Sequence, residues 1–549
     1  MNFKVLKHSI NILAVVAILL FSKCAQVLPL NGGARDTQAP KLLRSVPENA
    51  SLNFKSKMIE FSFDEFVQVK DIANQLVVTP RTKELPVVEA RGKVITVKFN
   101  EDLLPNTTYR LFFGNAIVDM HEANGINNFE YVFSTGDRID SFDLKGQVIT
   151  AFNLKPASDI TIGLFADSVS SFTGNKPVYF TKTDNSGHYQ LSYLPANKFK
   201  LLAFGDKNKN LMYDAPEEFV AFNDQSINTE TDSVVDFELF KEESTKLFVK
   251  RAFSPAYGIA HIIYNKDVQS KADAYYKRDD EFINSSGSYN DTCEVYYHSI
   301  YDTLRLIVKH EGLKQADTLA ISVLSQERFQ KQITDKKVFF IAEINQNSSE
   351  KVDYFSPLTL RFNNEIDNSA IHPEKIVLMQ KLDSGQKQVS LNLGIGKSNK
   401  IQIAEKLSPA GEYVLYLKKG AFKSKIGVEN DSVRIVFKTT DPEDYASLAL
   451  KLLLPKKENY IVQILSAEER IIAEQYVELS ITSSAEQNVL FKNLPPGNYF
   501  VKVIEDKNKN KKWDTGSILM KNQPELIYFN AAPIKLLANW DSETEWIVK

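Results

Sequence analysis

The sequence repeats itself. AFGDKNKNLMYD at residues 203–214 returns as VIEDKNKNKKWD at 503–514, and the agreement runs well beyond the shared pentapeptide. YQLSYLPANKFKLLAF (189–204) aligns with NVLFKNLPPGNYFVKV (488–503), so that Leu194 and Pro195 fall on Leu494 and Pro495, 300 residues on, as Asp206 falls on Asp506. Upstream, DLLPNTTYRLFF (102–113) aligns with KLSPAGEYVLYL (406–417), placing Pro105 on Pro409 and Tyr109 on Tyr413 at a spacing of 304. FSTGD (133–137) falls on FKTTD (437–441) at that same spacing, and EFSFDEFV (60–67) matches TLRFNNEI (359–366) slightly out of step. Two kinds of module, A and then B, therefore occur twice in the same order. Such a chain closes one core per module, and 549 residues suffice for several.

Period-two alternation gives the modules their class. KMIEFSFDEFVQV (57–69) sends Ile59, Phe61 and Phe63 to one face, and KVITVKFN (93–100), YRLFFGNAIVD (109–119) and FEYVFSTGD (129–137) continue the pattern around turns such as LPNTT (104–108). LSAEERIIAEQYVE (465–478) reads as strand, turn, strand, and no stretch has the period of a long capped helix. Phe (35) and Tyr (22) are abundant while Cys (2) is almost absent, which suits sandwich cores without disulfides. The expected fold is all-β: tandem β-sandwich domains at 41–137 (A1), 141–240 (B1), 245–336 (a middle β domain, M), 337–441 (A2) and 446–549 (B2).

The start of the chain carries an address. Lys4 and Lys7 precede INILAVVAILLF (10–21), an apolar run too short to span a bilayer but of the length of a secretory signal, predicted over 1–23. Cys24 stands directly after Phe21, Ser22 and Lys23, a placement that resembles the lipobox of bacterial lipoproteins, although Lys23 departs from the small residue usual there. The resemblance implies lipidation at Cys24, with 24–40 as a Gly- and Pro-containing tether; the alternative is an ordinary secretory signal with a chance cysteine. With Cys24 lipidated, Cys293 has no disulfide partner in the chain and reads as a buried small apolar residue.

VPENASLNFKSKMIEFSFDEFV (46–67), LLPNTTYRLFFGNAIVD (103–119) and YVFSTGD (131–137) resemble the S-layer-type bacterial Ig-like domain. The match spans nearly all of A1, and in A2 only SPLTLRFNNEID (356–367) and the last strands. GHYQLSYLPANKFKLLAF (187–204) and LFKNLPPGNYFVKV (490–503) resemble the transthyretin-like, carboxypeptidase-regulatory sandwich. GGARDTQAP and SVPEN after the cysteine resemble the openings of Bacteroidota envelope lipoproteins. These resemblances imply architecture and location and specify no reaction. Bacteroidota also O-glycosylate Asp-Ser/Thr before an aliphatic residue, a tripeptide found here at Ser168, Ser233, Thr303, Thr318 and Ser432.

Catalytic signatures are missing. The seven histidines form no H-E-x-x-H, His310-Glu311 lacks its second histidine, and there is neither a G-x-S-x-G elbow nor a P-loop. Asp64-Glu65 sit on adjacent strand positions that face opposite ways and read as a solvated edge. The DKNKN loops stand out. With Asp206 at position 1 of a calcium loop, Asn208, Asn210, Met212 (by its carbonyl), Asp214 and Glu217 fall at positions 3, 5, 7, 9 and 12, the oxygen-rich spacing that Ca2+ favours. Leu211 occupies the position where glycine is wanted. Asp506, Asn508, Asn510 and Asp514 repeat the set, with Ser517 in place of the glutamate and four lysines crowding the loop. The competing reading is a turn in which Asp and Asn bond the local backbone.

Charges nearly balance at −3 with no basic block, which excludes nucleic acid as an expected partner. The expectation is a non-enzymatic outer-membrane lipoprotein, a structural or protein-binding module of the cell envelope with a protein partner there. The absence of an acidic run in AQVLPL (25–30) points to the periplasmic face. Alternatives are an accessory subunit of an outer-membrane assembly or export complex, and a carbohydrate-binding or hydrolytic envelope protein. The only tryptophans, Trp513, Trp540 and Trp546, lie at the C-terminal end, away from any sugar platform in the earlier modules.

Overall fold

A computed structural model describes residues 36–549 except 245, 267, 269–272, 277–281, 284, 290, 298–301, 310–312, 314–315, 335–341, 348–349, 363–365, 396–398, 426, 457 and 480–484. The signal segment, Cys24 and His310 lie outside the described residues. The regular structure is almost wholly β-strand, paired mostly antiparallel, and hydrophobic cores follow one another along the chain, each made by alternate residues of facing sheets.

In A1 the sheet Leu42–Val46, Met58–Phe63, Val94–Lys98, Val87–Arg91 faces the sheet Val77–Thr79, Thr108–Gly114, Phe129–Ser134. Ile59, Phe61 and Phe63 point inward, and Phe61 meets Phe113 edge-on at 5.9 Å. A2 repeats this with Leu358–Phe362 and Lys400–Ile403 on one side and Ile376–Leu382, Glu412–Leu417, Val433–Lys438 on the other. It adds one strand, Gly385–Val389, beside Ile376–Leu382. The repeat extends to single contacts. Tyr109 OH accepts the Leu104 N–H at 2.9 Å and Tyr413 OH that of Ser408 at 2.7 Å. Each tyrosine stacks on a phenylalanine, Phe133 at 5.5 Å and Phe437 at 5.4 Å. Asn106 and Ala410, in the turns before these tyrosines, share a left-handed φ of 49° and 50°.

The B modules repeat as closely. In B1, Phe142–Thr150 pairs antiparallel with His188–Leu194 and parallel with Phe237–Lys241. In B2, Ala446–Leu453 pairs antiparallel with Glu486–Leu494 and parallel with Asp541–Ile547. The second sheet runs Tyr179–Lys182, Thr161–Ala166, Lys198–Phe204, Phe219–Phe222 in B1, and Ile471–Val477, Asn459–Leu465, Gly497–Asp506, Ile527–Leu536 in B2. In B1 one strand, Phe237–Lys241, also pairs with Phe219–Phe222 and so joins the two sheets, a pairing without a counterpart among the described residues of B2.

Module M carries two four-stranded sheets and one element that alternation does not foresee, the helix Gln326–Thr334. Its apolar residues are only Phe329 and Ile333, one turn apart, too few for a helical period to register. Packing defines it: Phe329 is buried and stacks on Tyr257 at 4.2 Å. Cys293 is fully buried in the same core.

Candidate functional site

Each DKNKN loop leaves the end of the central strand of its B module and folds the same way. Asp206 accepts the N–H groups of Asn210 (2.9 Å) and Leu211 (3.0 Å) on its two oxygens. Asn208 Oδ1 accepts Asn210 N–H at 3.1 Å and Asn210 Oδ1 accepts Met212 N–H at 2.6 Å. Both amides, Asn208 Nδ2 (2.7 Å) and Asn210 Nδ2 (3.0 Å), donate to Asp214 Oδ2. The second loop reproduces all six contacts: Asp506 with Asn510 and Lys511 (3.1 and 2.9 Å), Asn508 with Asn510 (3.0 Å), Asn510 with Lys512 (2.8 Å), and the amides of Asn508 and Asn510 with Asp514 (2.6 and 2.7 Å). Lys209 and Leu211, like Lys509 and Lys511, take left-handed φ between 57° and 65°. That conformation costs a side-chain-bearing residue about 1–2 kcal/mol, offset by the charge-assisted bonds to the buried aspartate.

A buried glutamate closes each loop. Glu218 accepts Lys207 N–H (3.0 Å) and Asp214 N–H (3.1 Å), and Glu525 accepts Lys507 N–H (2.7 Å) and Asp514 N–H (2.9 Å). Burial, first, and the nearby Asp514 and Asp506 push the Glu525 carboxyl above the usual range, against the two N–H bonds. This corrects the sequence reading twice. Glu217 is exposed, 4.0 Å from Lys241, and is not a member of the loop set. The second loop does not lack an acid, because Glu525 does what Glu218 does. Counting along a calcium-loop register misses both. The closing acid is fixed to the residue before the next strand, as Gly205 N–H to Phe219 O and Glu505 N–H to Leu526 O show, and an insertion at 515–522 delays it in the second copy. The available signal was an acid directly before an apolar strand after each loop, EFVAF and ELIYF.

As placed, these residues do not fit a cation. The aspartate oxygens at position 1 accept backbone N–H groups, and the amides turn their N–H groups, not their oxygens, toward Asp214. Among the described residues no group of three or more His, Cys, Asp or Glu could hold a metal ion. The bonding is that of a self-sufficient turn.

The loops deliver an aromatic residue. Tyr213, one before Asp214, is buried with Phe165, Leu202, Phe204, Val220 and Phe240 on the outer face of the second B1 sheet, and its hydroxyl donates to Glu242 at 2.7 Å. Burial and that carboxylate push the phenol far above its ordinary value. Trp513, its counterpart, reaches the same B1 cluster from B2 and meets Phe152 edge-on at 5.1 Å. The two B modules are therefore packed against each other. The insertion supplies more of the contact: Thr515 donates to Lys241 O (2.8 Å), Ile518 N–H to Glu242 (2.8 Å) and Gln523 to Phe222 O (3.1 Å). Leu154 of B1 packs on Ile461, Ile504 and Ile527 of B2. Lys502, 7% exposed, lies 3.8 Å over the Phe152 ring and donates to Phe152 O at 2.9 Å. Burial lowers it to about 8, although Glu469 nearby acts the other way. Glu469 itself pairs with Lys155 of B1 at 2.5 Å.

The remaining candidates are dispersed. Ser168, Ser233, Thr303, Thr318 and Ser432 are all exposed, Thr303 and Thr318 within strands, and Ser432 Oγ accepts Lys419 N–H at 3.1 Å. Asp64 accepts Lys41 N–H at 2.8 Å, while burial, followed by Asp119 and Asp64, raises Glu65. His261 lies 3.7 Å from Glu294.

Residues 36–135 match the profile of a family described as a bacterial Ig-like domain, and residues 456–524 that of an uncharacterized protein family conserved in bacteria, DUF2141. No curated protein sequence matches the chain. Among solved structures, the major pilin subunit BcpA of Bacillus cereus is 10% identical, with 75% of this chain and 99% of that one covered at a TM-score of 0.14. Surface layer protein SbsC, domains 1–6, is 12% identical over 86% and 66%, also at 0.14. Native α-2-macroglobulin of E. coli is 9% identical over 85% and 42%, at 0.15. At such TM-scores the likeness bears on neither arrangement nor role. What stands is an all-β chain whose first module is similar to a bacterial Ig-like domain.

Proposed function

We propose that this chain is a structural, protein-binding element of a bacterial cell envelope that performs no chemistry of its own. One observation carries the reading: its most elaborate polar sites, the two DKNKN loops, end in a contact between domains and not in a cleft. Tandem sandwiches offer faces, edges and end loops for protein contact. The signal-like start and Cys24 support a lipid anchor in the outer membrane, and the linker without an acidic run supports the periplasmic face. Calcium is not needed by this reading. A role as accessory subunit of an assembly or export complex is the same reading with the partner specified. The sugar-binding alternative draws no support from the tryptophans, since Trp513 sits in the contact between B modules, Trp546 packs on the B2 core and Trp540 alone is exposed.

Two experiments test it. The wild-type chain partitions into the detergent phase and Cys24→Ala releases it; a variant still in the membrane fraction overturns the anchor. Affinity capture from crosslinked cells recovers an envelope protein, or a second copy of the chain, in stable proportion to it; recovery of the uncrosslinked chain alone sinks the binding role.

A further inference from the structure

The two A–B pairs share a fold and differ in packing. In the first pair B1 covers the outer face of the A1 sheet: Tyr179–Lys182 lies against Val77–Thr79, and His188–Leu194 against Thr108–Gly114. Arg81 N–H donates to Val178 O at 2.7 Å across the seam. Val132, at the middle of that A1 face, is only 3% exposed. In the second pair this seam is open. Val436, at the position of Val132, is 53% exposed, and farther along the same sheet face lies a groove of about 450 Å³ lined by Val377, Met379, Tyr416 and Arg434, with Gln386 of the added strand as one wall. The B2 strand that corresponds to the covering strand of B1 is also bare: Ile471 is 56% and Ile472 40% exposed, where Pro177 is buried and Val178 half-buried in B1. B2 is packed instead on B1, through Trp513 and the insertion.

One chain thus carries both halves of an interface whose first-repeat version is already joined. We propose that the groove of A2 takes the Ile471–Ile472 edge of B2 from a second copy of this chain, so that copies associate head to tail. The charge balance agrees: Lys418 and Arg434 border the groove, while at the edge Glu468, Glu469 and Glu474 outnumber Arg470. The first-repeat seam also predicts the register. Tyr193, which lies beside Glu130 there, is replaced by Asn493, and Glu130 by Arg434, so that an amide oxygen can face a guanidinium. Because the two surfaces are different, the contact is heterologous and leaves a free groove at one end and a free edge at the other. The inference names a partner for the binding role proposed above and rests on that reading.

The test uses the full chain with Cys24→Ala, so that no lipid drives association, and two surface substitutions, Val436→Asp on the sheet face that carries the groove and Ile472→Asp on the edge. Sedimentation velocity of the parent shows a weight-average mass that rises with concentration. Each variant alone stays monomeric with the parent's melting temperature. An equal mixture of the two forms a dimer and nothing larger, since one variant keeps its edge and the other its groove. A parent that is monomeric throughout, a variant that still associates, or a mixture that stays monomeric overturns the self-pairing. Capture of a different envelope partner would then leave the proposed function standing without it.

Discussion

Single side chains set the loops and the contact they support. Asp506 is fully buried, accepts two backbone N–H groups and also accepts the Tyr476 hydroxyl at 2.7 Å. Burial, helped by this carboxylate, pushes the Tyr476 phenol up to about 12. Asp506→Ala strands these donors and should cost about 2–4 kcal/mol by chemical denaturation. Asp206→Ala, which strands only the two N–H groups, should cost less. Because the amides of Asn208 and Asn210 present donors inward, melting in calcium and in chelator should coincide; a higher melting temperature in calcium would show that the amides turn over and offer oxygens. Lys502 gives a pH signature. Its folded value, about 8, lies below the ordinary 10.5, so between these values the unfolded chain holds a proton that the folded chain has released. Stability from this group therefore rises with pH from about 8 to 10.5, and the cost of the buried cation is fully present below 8. Lys502→Met should flatten that rise and stabilise the contact at neutral pH by about 1–2 kcal/mol, read as the difference between variant and wild-type denaturation across pH.

At the scale of strands and turns, alternation made most of the architecture legible. The turn at 466–470 between Asn459–Leu465 and Ile471–Val477 follows the sequence reading, because LSAEER breaks the period where the chain reverses. Other parts were hidden for physical reasons. Phe329 anchors a helix that no periodicity announces. Glu525 lay beyond an insertion that shifts the count. The double-sided burial of Lys198–Phe204 was written in KLLAF, an apolar run with too little alternation for a strand with one wet face, but nothing in it says that B2 is the cover. The insertion tests this account. Gly516 sits so close to B1 that an added Cβ would meet the Phe240 ring at 2.7 Å and Asn522 O at 2.8 Å. Gly516→Val should lift the insertion off B1, seen as faster hydrogen exchange over 219–242 and 513–523, with exchange in the A1 core unchanged.

At the scale of the whole chain, the contact between B1 and B2 closes a circuit. B1 leads into M, M touches A2 through Val428, which packs on both cores, and A2 leads into B2, which returns to B1. Phe152→Asp together with Trp513→Asp should open the circuit, and small-angle scattering should record a larger radius of gyration while the strand content in circular dichroism is kept. The closure also decides how the molecule answers a pull. Tension applied between the N-terminal end and a body held by B2 passes from A1 into B1 and straight across the Phe152–Trp513 contact. M and A2 hang outside that line as slack, unstrained until the contact ruptures, and their release would then lengthen the tether in one step without unfolding a single domain.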